Sequence, residues 1–149
     1  MAAIGWERAD LDPVYPPHVA FAGNYHLVLG VTSRATLAGL DYDSDRLAKL
    51  MRQEQWKTVH MFWAEGDGVF HVRNAFPLGG VVEDPATGAA AAAFGGYLRA
   101  LGMVPGPARL TLLQGQDMGS PSRLIVDLDT DAETVSVTGW ATRLTRDDE

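Results

Sequence analysis

The chain has 149 residues, enough for one domain with a sizeable core. Its net charge of −7, with no visible basic patch, argues against a nucleic-acid partner. The absence of cysteine excludes disulfides and thiolate zinc sites. No signal-peptide pattern is visible, and no apolar run is long enough to span a bilayer. The expectation is a cytoplasmic protein with no membrane partner.

Residues 19–22 and 27–31 read as strands, joined by the Gly23-Asn24 turn signal. Thr32 or Ser33 caps a short helix reaching Leu40. Asp43 or Ser44 caps a second, with Leu47, Leu50 and Met51 at helical spacing. Residues 58–64 and 69–74 read as a hairpin around Glu65-Gly66-Asp67-Gly68. A helix follows over about 85–101, roughly 25 Å long at the usual rise. Residues 109–114, 124–128 and 134–144 complete a mainly antiparallel set, and 146–149 form a frayed tail. The class is α+β.

The third helix is the unusual element. Asp84 suits its N-cap and Pro85 its first position; Gly102 and Pro105 suit its far end. Between them Ala89 to Ala93, Phe94, Gly95, Gly96, Tyr97 and Leu98 leave almost no polar face. A helix apolar on all sides is normally buried on all sides. Gly95 and Gly96 each cost about 1 kcal/mol relative to alanine, which close approach of surrounding backbone offsets. The simplest picture is a helix threaded through a sheet that curls around it. A helix start also offers unpaired N–H groups and partial positive charge, so it holds a carboxylate well. Asp84 beside it is either a reaction centre or an ordinary cap.

Three ordered segments carry a family resemblance. Gly79-Gly80-Val81-Val82-Glu83-Asp84-Pro85-Ala86-Thr87-Gly88 resembles the signature of the PhzF-like isomerases. Gln114-Gly115-Gln116-Asp117-Met118-Gly119-Ser120-Pro121-Ser122 resembles the family's later QG-x-x-MGRPS segment. Ala22-Gly23-Asn24-Tyr25-His26-Leu27-Val28 resembles the strand and turn that open the family's second half, and the GNPH turn of diaminopimelate epimerases.

The resemblance implies a single diaminopimelate-epimerase-like lobe, an antiparallel β-barrel wrapped around the helix at about 85–101. Members have two such lobes with the active site between them, and this chain matches the second. Residues 1–17 then read as the remnant of an interlobe connection, 18–145 as the lobe and 146–149 as a tail. The family's general base, a first-lobe glutamate, has no counterpart here. A homodimer or a separate first-lobe chain is the expected partner, and a small anionic metabolite the expected ligand.

The implied chemistry is proton transfer without cofactor or metal. Asp84 matches the aspartate that assists proton movement. Thr87, Gly88 and Ala89 supply the N–H groups that hold the substrate anion. Ala89 stands where many members carry serine, and Ser120 replaces the usual arginine. Asn24 matches an asparagine that contacts substrate in the related epimerases; turn chemistry alone also explains it. His26 is expected to be structural. Arg73 either neutralises a substrate carboxylate or pairs with Glu83 or Asp84. A lobe that binds a carboxylate without transforming it, or a structural subunit, is the alternative to an isomerase.

Overall fold

The computed structural model describes residues 1–129 and 133–143. Strand β1 (His18–Phe21) turns through Gly23, at φ +74°, into β2 (Tyr25–Gly30), antiparallel to it. The Ser33 hydroxyl accepts the Thr36 N–H at 3.0 Å and caps α1 (Arg34–Ala38). The Asp43 carboxylate accepts the Arg46 N–H at 2.9 Å and caps α2 (Ser44–Glu54). Strand β3 (Trp56–Gly66) then runs parallel to β2. Strand β4 (Val69–Ala75) folds back on β3 through Asp67 and Gly68, both at positive φ. After β5 (Glu83–Asp84), α3 (Gly88–Ala100) carries the chain over to β6 (Ala108–Gln114), parallel to β4. Strands β7 (Ser122–Leu128) and β8 (Val135–Thr138) finish antiparallel.

The strands lie in the order β1-β2-β3-β4-β6-β7-β8, with β5 paired to β4. The α+β class and the central helix hold. The sheet is mixed, however: β2–β3 and β4–β6 run parallel. Each of these pairs is joined by a helical crossover, which returns the chain to the same end of the sheet. The crossover lengths were visible in the sequence; their pairing consequence was not.

The sheet is a half-barrel curled around α3. Among the described residues no pairing joins β1 to β8; both edges contact the helix instead. Ala90, Ala91, Ala93, Phe94, Gly95, Tyr97 and Leu98 are buried. Phe94 sits within 4.7 Å of the Phe62 ring and 5.0 Å of Phe70. Leu110, Leu112, Leu124, Val126 and Leu128 complete this inner core. Burial is not complete on every side, as the sequence led one to expect. Gly88 and Ala89 are exposed, and Ala92 and Gly96 half-exposed, along the seam that the two edge strands leave open.

A second core covers the outer face of β2 and β3. Leu37, Leu47 and Met51 pack there with Ile4, Trp6, Val59 and Met61. Residues 1–17, expected as a connection, lay Ala3, Ile4 and Trp6 into this layer and bridge Leu11 to Val31. No helix among the described residues is long and apolar enough to cross a membrane. The expected tail at 146–149 and the lobe limit at 145 lie outside the described residues; the strand expected over 134–144 is shorter, running from Val135 to Thr138, and residues 139–143 are not paired into the sheet.

The start of α3 differs from expectation. Asp84 is not its N-cap and Pro85 is not its first residue. Glu83 and Asp84 pair with Ala75 and Asn74 of β4, so their backbone belongs to the sheet. The helix begins three residues later, with Thr87 at the cap and no side-chain cap bond. Asp84 has the side chain of a good cap, but the β4 ladder engages its backbone first.

The two adjacent helix glycines have different surroundings. A Cβ on Gly95 would stand 2.9 Å from Val126 Cγ1 and 3.2 Å from Val135 Cγ1. A Cβ on Gly96 would meet nothing within 4 Å. Gly96→Ala is therefore expected to stabilise the fold by about 0.5–1 kcal/mol through helix propensity. Gly95→Ala is expected to lose that gain to overpacking, which typically costs about 1–3 kcal/mol. Denaturant titration of both variants checks the contrast.

Candidate functional site

The α3 start lies at the end of the half-barrel where β4 finishes and β6 finishes. The first in-helix bond runs from the Ala91 N–H to the Thr87 carbonyl, at 3.0 Å. The N–H groups of Gly88, Ala89 and Ala90 therefore have no acceptor within the helix. Gly88 and Ala89 are exposed, and open space surrounds the Gly88 Cα. The Thr87 N–H is already engaged: the Gln114 Oε1 accepts it at 3.2 Å. Of the three residues expected to hold an anion by their amides, Gly88 and Ala89 are exposed and Thr87 has its N–H tied to Gln114.

Asp84 stands beside this start. Its Oδ2 accepts the Thr87 hydroxyl at 2.7 Å. Gln114 Nε2 donates to the Asp84 carbonyl at 2.7 Å and to Thr87 Oγ1 at 2.9 Å. The Ser122 hydroxyl donates to the Pro85 carbonyl at 2.6 Å. Gly115, at φ +78°, lets its loop close on the same segment: a Cβ there would stand 2.1 Å from the Ser120 carbonyl oxygen. Residues 84–87 are thus held by β4 on one side and by the 114–122 segment on the other.

Arg73 takes the pairing alternative. Its Nε donates to Glu83 Oε2 at 3.1 Å and its Nη2 to Glu83 Oε1 at 2.7 Å. Its Nη1 donates to the Leu37 and Ala38 carbonyls at the end of α1. Both side chains of the ion pair are buried. Cation and helix C-terminus attract, and the fork-to-carboxylate geometry is the strongest available to either group. Four hydrogen bonds commit the guanidinium to the scaffold behind Asp84.

Asn24 is exposed on the β1–β2 turn, with its carbonyl accepting the Ala22 N–H. The strand registers bring that turn to the same end of the sheet as Trp56, Ala75 and Gln114. It therefore shares an end with the α3 start. A separate apolar cleft of about 700 Å³ lies on the outer face, between residues 1–17 and α2. Its lining includes Leu27, Leu29, Leu47 and Trp56, and Arg8 and Asp12 are its charged side chains among the described residues. Among the described residues no three carboxylate or imidazole groups converge to hold a metal.

A buried polar chain under this end went unread in the sequence. His26 Nδ1 bonds Thr58 Oγ1 at 2.8 Å, and Thr58 donates to Asn74 Oδ1 at 3.2 Å. Asn74 Nδ2 bonds His60 Nδ1 at 3.3 Å. Thr58 has one hydroxyl proton and gives it to Asn74, so His26 carries its proton on Nδ1. Asn74 donates to His60 Nδ1, so neutral His60 carries its proton on Nε2. All four side chains are almost wholly buried. Burial holds the imidazoles neutral: His26 is lowered to about 4 and His60 to about 3. Asn74, an interior member of this chain, pairs with Asp84 in the sheet, so the chain passes next to the candidate acid. The four residues come from three strands, and no local pattern could have joined them.

The comparisons with known proteins agree with this architecture. The family model described as phenazine biosynthesis-like protein matches residues 1–146. The chain belongs to that family. An uncharacterized isomerase of Deinococcus radiodurans is 31% identical over 145 residues, which is 93% of this chain and 47% of that protein. A predicted epimerase of Pseudomonas aeruginosa has a solved structure that matches with a TM-score of 0.72 at 29% identity. The match covers 98% of this chain and 50% of that one. A Bacillus anthracis phenazine biosynthesis protein of the PhzF family matches in fold, with a TM-score of 0.74 at 21% identity and 91% and 48% coverage. The chain spans about half the length of each of these relatives.

In this phenazine biosynthesis-like chain the buried histidines and the buried ion pair predict distinct behaviour. A histidine lowered in the fold contributes stability that is present above its unfolded value of 6.5 and lost as pH falls towards the folded value. Stability should therefore decline between pH 6.5 and about 4, by at most about 1.4 kcal/mol per pH unit for each histidine. Urea titrations across that range check it, and His60→Phe should flatten the slope. Arg73→Met leaves Glu83 charged and buried, and is expected to cost about 3–5 kcal/mol of stability.

Proposed function

We propose that this lobe supplies the anion-holding and proton-relaying half of a cofactor-independent isomerase acting on a small carboxylate metabolite. The carrying observation is the Asp84 carboxylate, fixed by the Thr87 hydroxyl at 2.7 Å beside the exposed Gly88–Ala89 start of α3. The helix start holds the substrate anion with N–H groups that need no reorganisation. A C–H bond next to a carboxylate or enol breaks, its proton goes to a general base, and the electron pair remains as an enolate. The base gives that proton back at a different carbon, and the Asp84 carboxylate relays it, so that base and relay both end as they began. The base comes from a first lobe, on a separate chain or on a second copy of this one. A two-fold homodimer brings two Asp84 groups towards one cleft.

A second reading keeps the binding and drops the reaction. It is favoured by Ala89, which lacks the hydroxyl that many relatives offer there; such a hydrogen bond is worth about 0.5–1.5 kcal/mol. Incubation of cyclic and amino carboxylates with the protein in heavy water separates the two. Deuterium incorporation that disappears in Asp84→Asn supports the isomerase. Shifts of the Gly88 and Ala89 amides without incorporation support the binding lobe. No response of either amide to any carboxylate rules out both. A solution mass of twice the 16.1 kDa chain supports the homodimer.

A further inference from the structure

We infer that Gln114 is the positioning residue for Asp84. Gln114 ends β6 and is 1% exposed, so its amide must find partners inside the protein. It finds all of them on residues 84 and 87: the Asp84 carbonyl, the Thr87 hydroxyl and the Thr87 N–H. The Asp84 carbonyl can only accept, and the Thr87 N–H can only donate. The Gln114 amide therefore has a single permitted orientation, with Nε2 on the carbonyl and Oε1 on the N–H. In that orientation Nε2 also donates to Thr87 Oγ1. The Thr87 oxygen is thereby made an acceptor from Gln114, and its one proton is left for Asp84 Oδ2, where the structure has it. The direction of one buried amide fixes the direction of a hydroxyl, which fixes a carboxylate.

The same contact selects which amides face a guest. With Gln114 on the Thr87 N–H, only Gly88 and Ala89 remain outward at the exposed start of α3. No other side chain bonds both ends of the 84–87 segment among the described residues. Ser122 holds Pro85 and leaves the acid and its hydroxyl partner untouched. The significance of the device rests on Asp84 being the proton-relaying carboxylate proposed above; the hydrogen-bond relay itself can be tested without that reading.

The test is solution NMR on the 149-residue chain, wild type and Gln114→Met, which keeps side-chain length and removes the amide. In the wild type, Thr87 and Asp84 are expected to show one χ1 rotamer each by scalar couplings. The Gln114 side-chain NH₂ should exchange at least tenfold more slowly than that of exposed Gln53. In Gln114→Met, both χ1 angles should average and the Thr87 amide should exchange at least tenfold faster, while β7 amides keep wild-type protection. A purely structural glutamine would lower the melting temperature and leave both rotamers single; that result overturns the inference. Equal exchange of the Gln114 and Gln53 side chains in the wild type overturns it as well, and needs no folded variant. With a carboxylate that incorporates deuterium, Gln114→Met should lower kcat at least tenfold with KM within threefold. Absence of any incorporation in the wild type counts against the isomerase reading alone, because the rotamer and exchange results do not depend on turnover.

Discussion

The fold depends on how closely a sheet can approach a helix. Helix α3 is built from alanine and glycine over most of its length, so neighbouring strands come within van der Waals distance of its backbone. Gly95 marks the tightest approach, against Val126 of β7 and Val135 of β8. The apolar bulk sits on Phe94, Tyr97 and Leu98, which reach into the curl of the sheet. A larger residue at Gly95 would push the strands outward and open the half-barrel. The hydrophobic effect drives the wrapping, but its geometry is set by steric size.

The same curl explains why polar groups gather at one end. Strands β4 and β6 run parallel and point to the same end of the sheet, β4 reaching three residues further, and α3 begins at that end. The apolar lining of the inner face gives way there to His26, Thr58, His60, Asn74 and Gln114. Buried polar side chains are costly unless bonded, and these are joined in chains, with His26 Nε2 and His60 Nε2 left as buried nitrogens without a partner among the described residues. Gln114 and Asn74 both hold the 84–87 segment, one by its side chain and one through the β4–β5 ladder. The candidate acid is thus mounted on a sheet and not on a flexible cap. Such mounting suits a group that must hold a fixed distance from a bound carboxylate.

Behind that mounting lies the buried Arg73–Glu83 pair. It joins β4 and β5 to the C-terminus of α1, tying the outer layer to the inner one. Tyr42 adds a second tie through its hydroxyl, which donates to the Val82 carbonyl. The loop before β5 is therefore held from the outer layer, and the loop after β6 from the inner end. Together they leave Gly88 and Ala89 as the outward-facing part of the segment.

Much of this was legible in the chain itself. The β1–β2 and β3–β4 hairpins, the Ser33 and Asp43 caps and the apolar central helix follow from turn residues, capping chemistry and periodicity, all of which act over a few neighbours. The motif at 79–88 carried the family resemblance for the same reason: its residues are close in sequence. Tertiary structure decided the rest. It took Asp84 out of the helix and into a strand, because its ladder partner on β4, Asn74, outcompeted the local cap. It spent Arg73 on Glu83 and two α1 carbonyls. It tied Thr87 to Gln114 and assembled the His26–Thr58–Asn74–His60 chain from separate strands. Local rules fix which elements form; which buried polar groups meet depends on strand register, and register is settled only when the whole sheet closes on its helix.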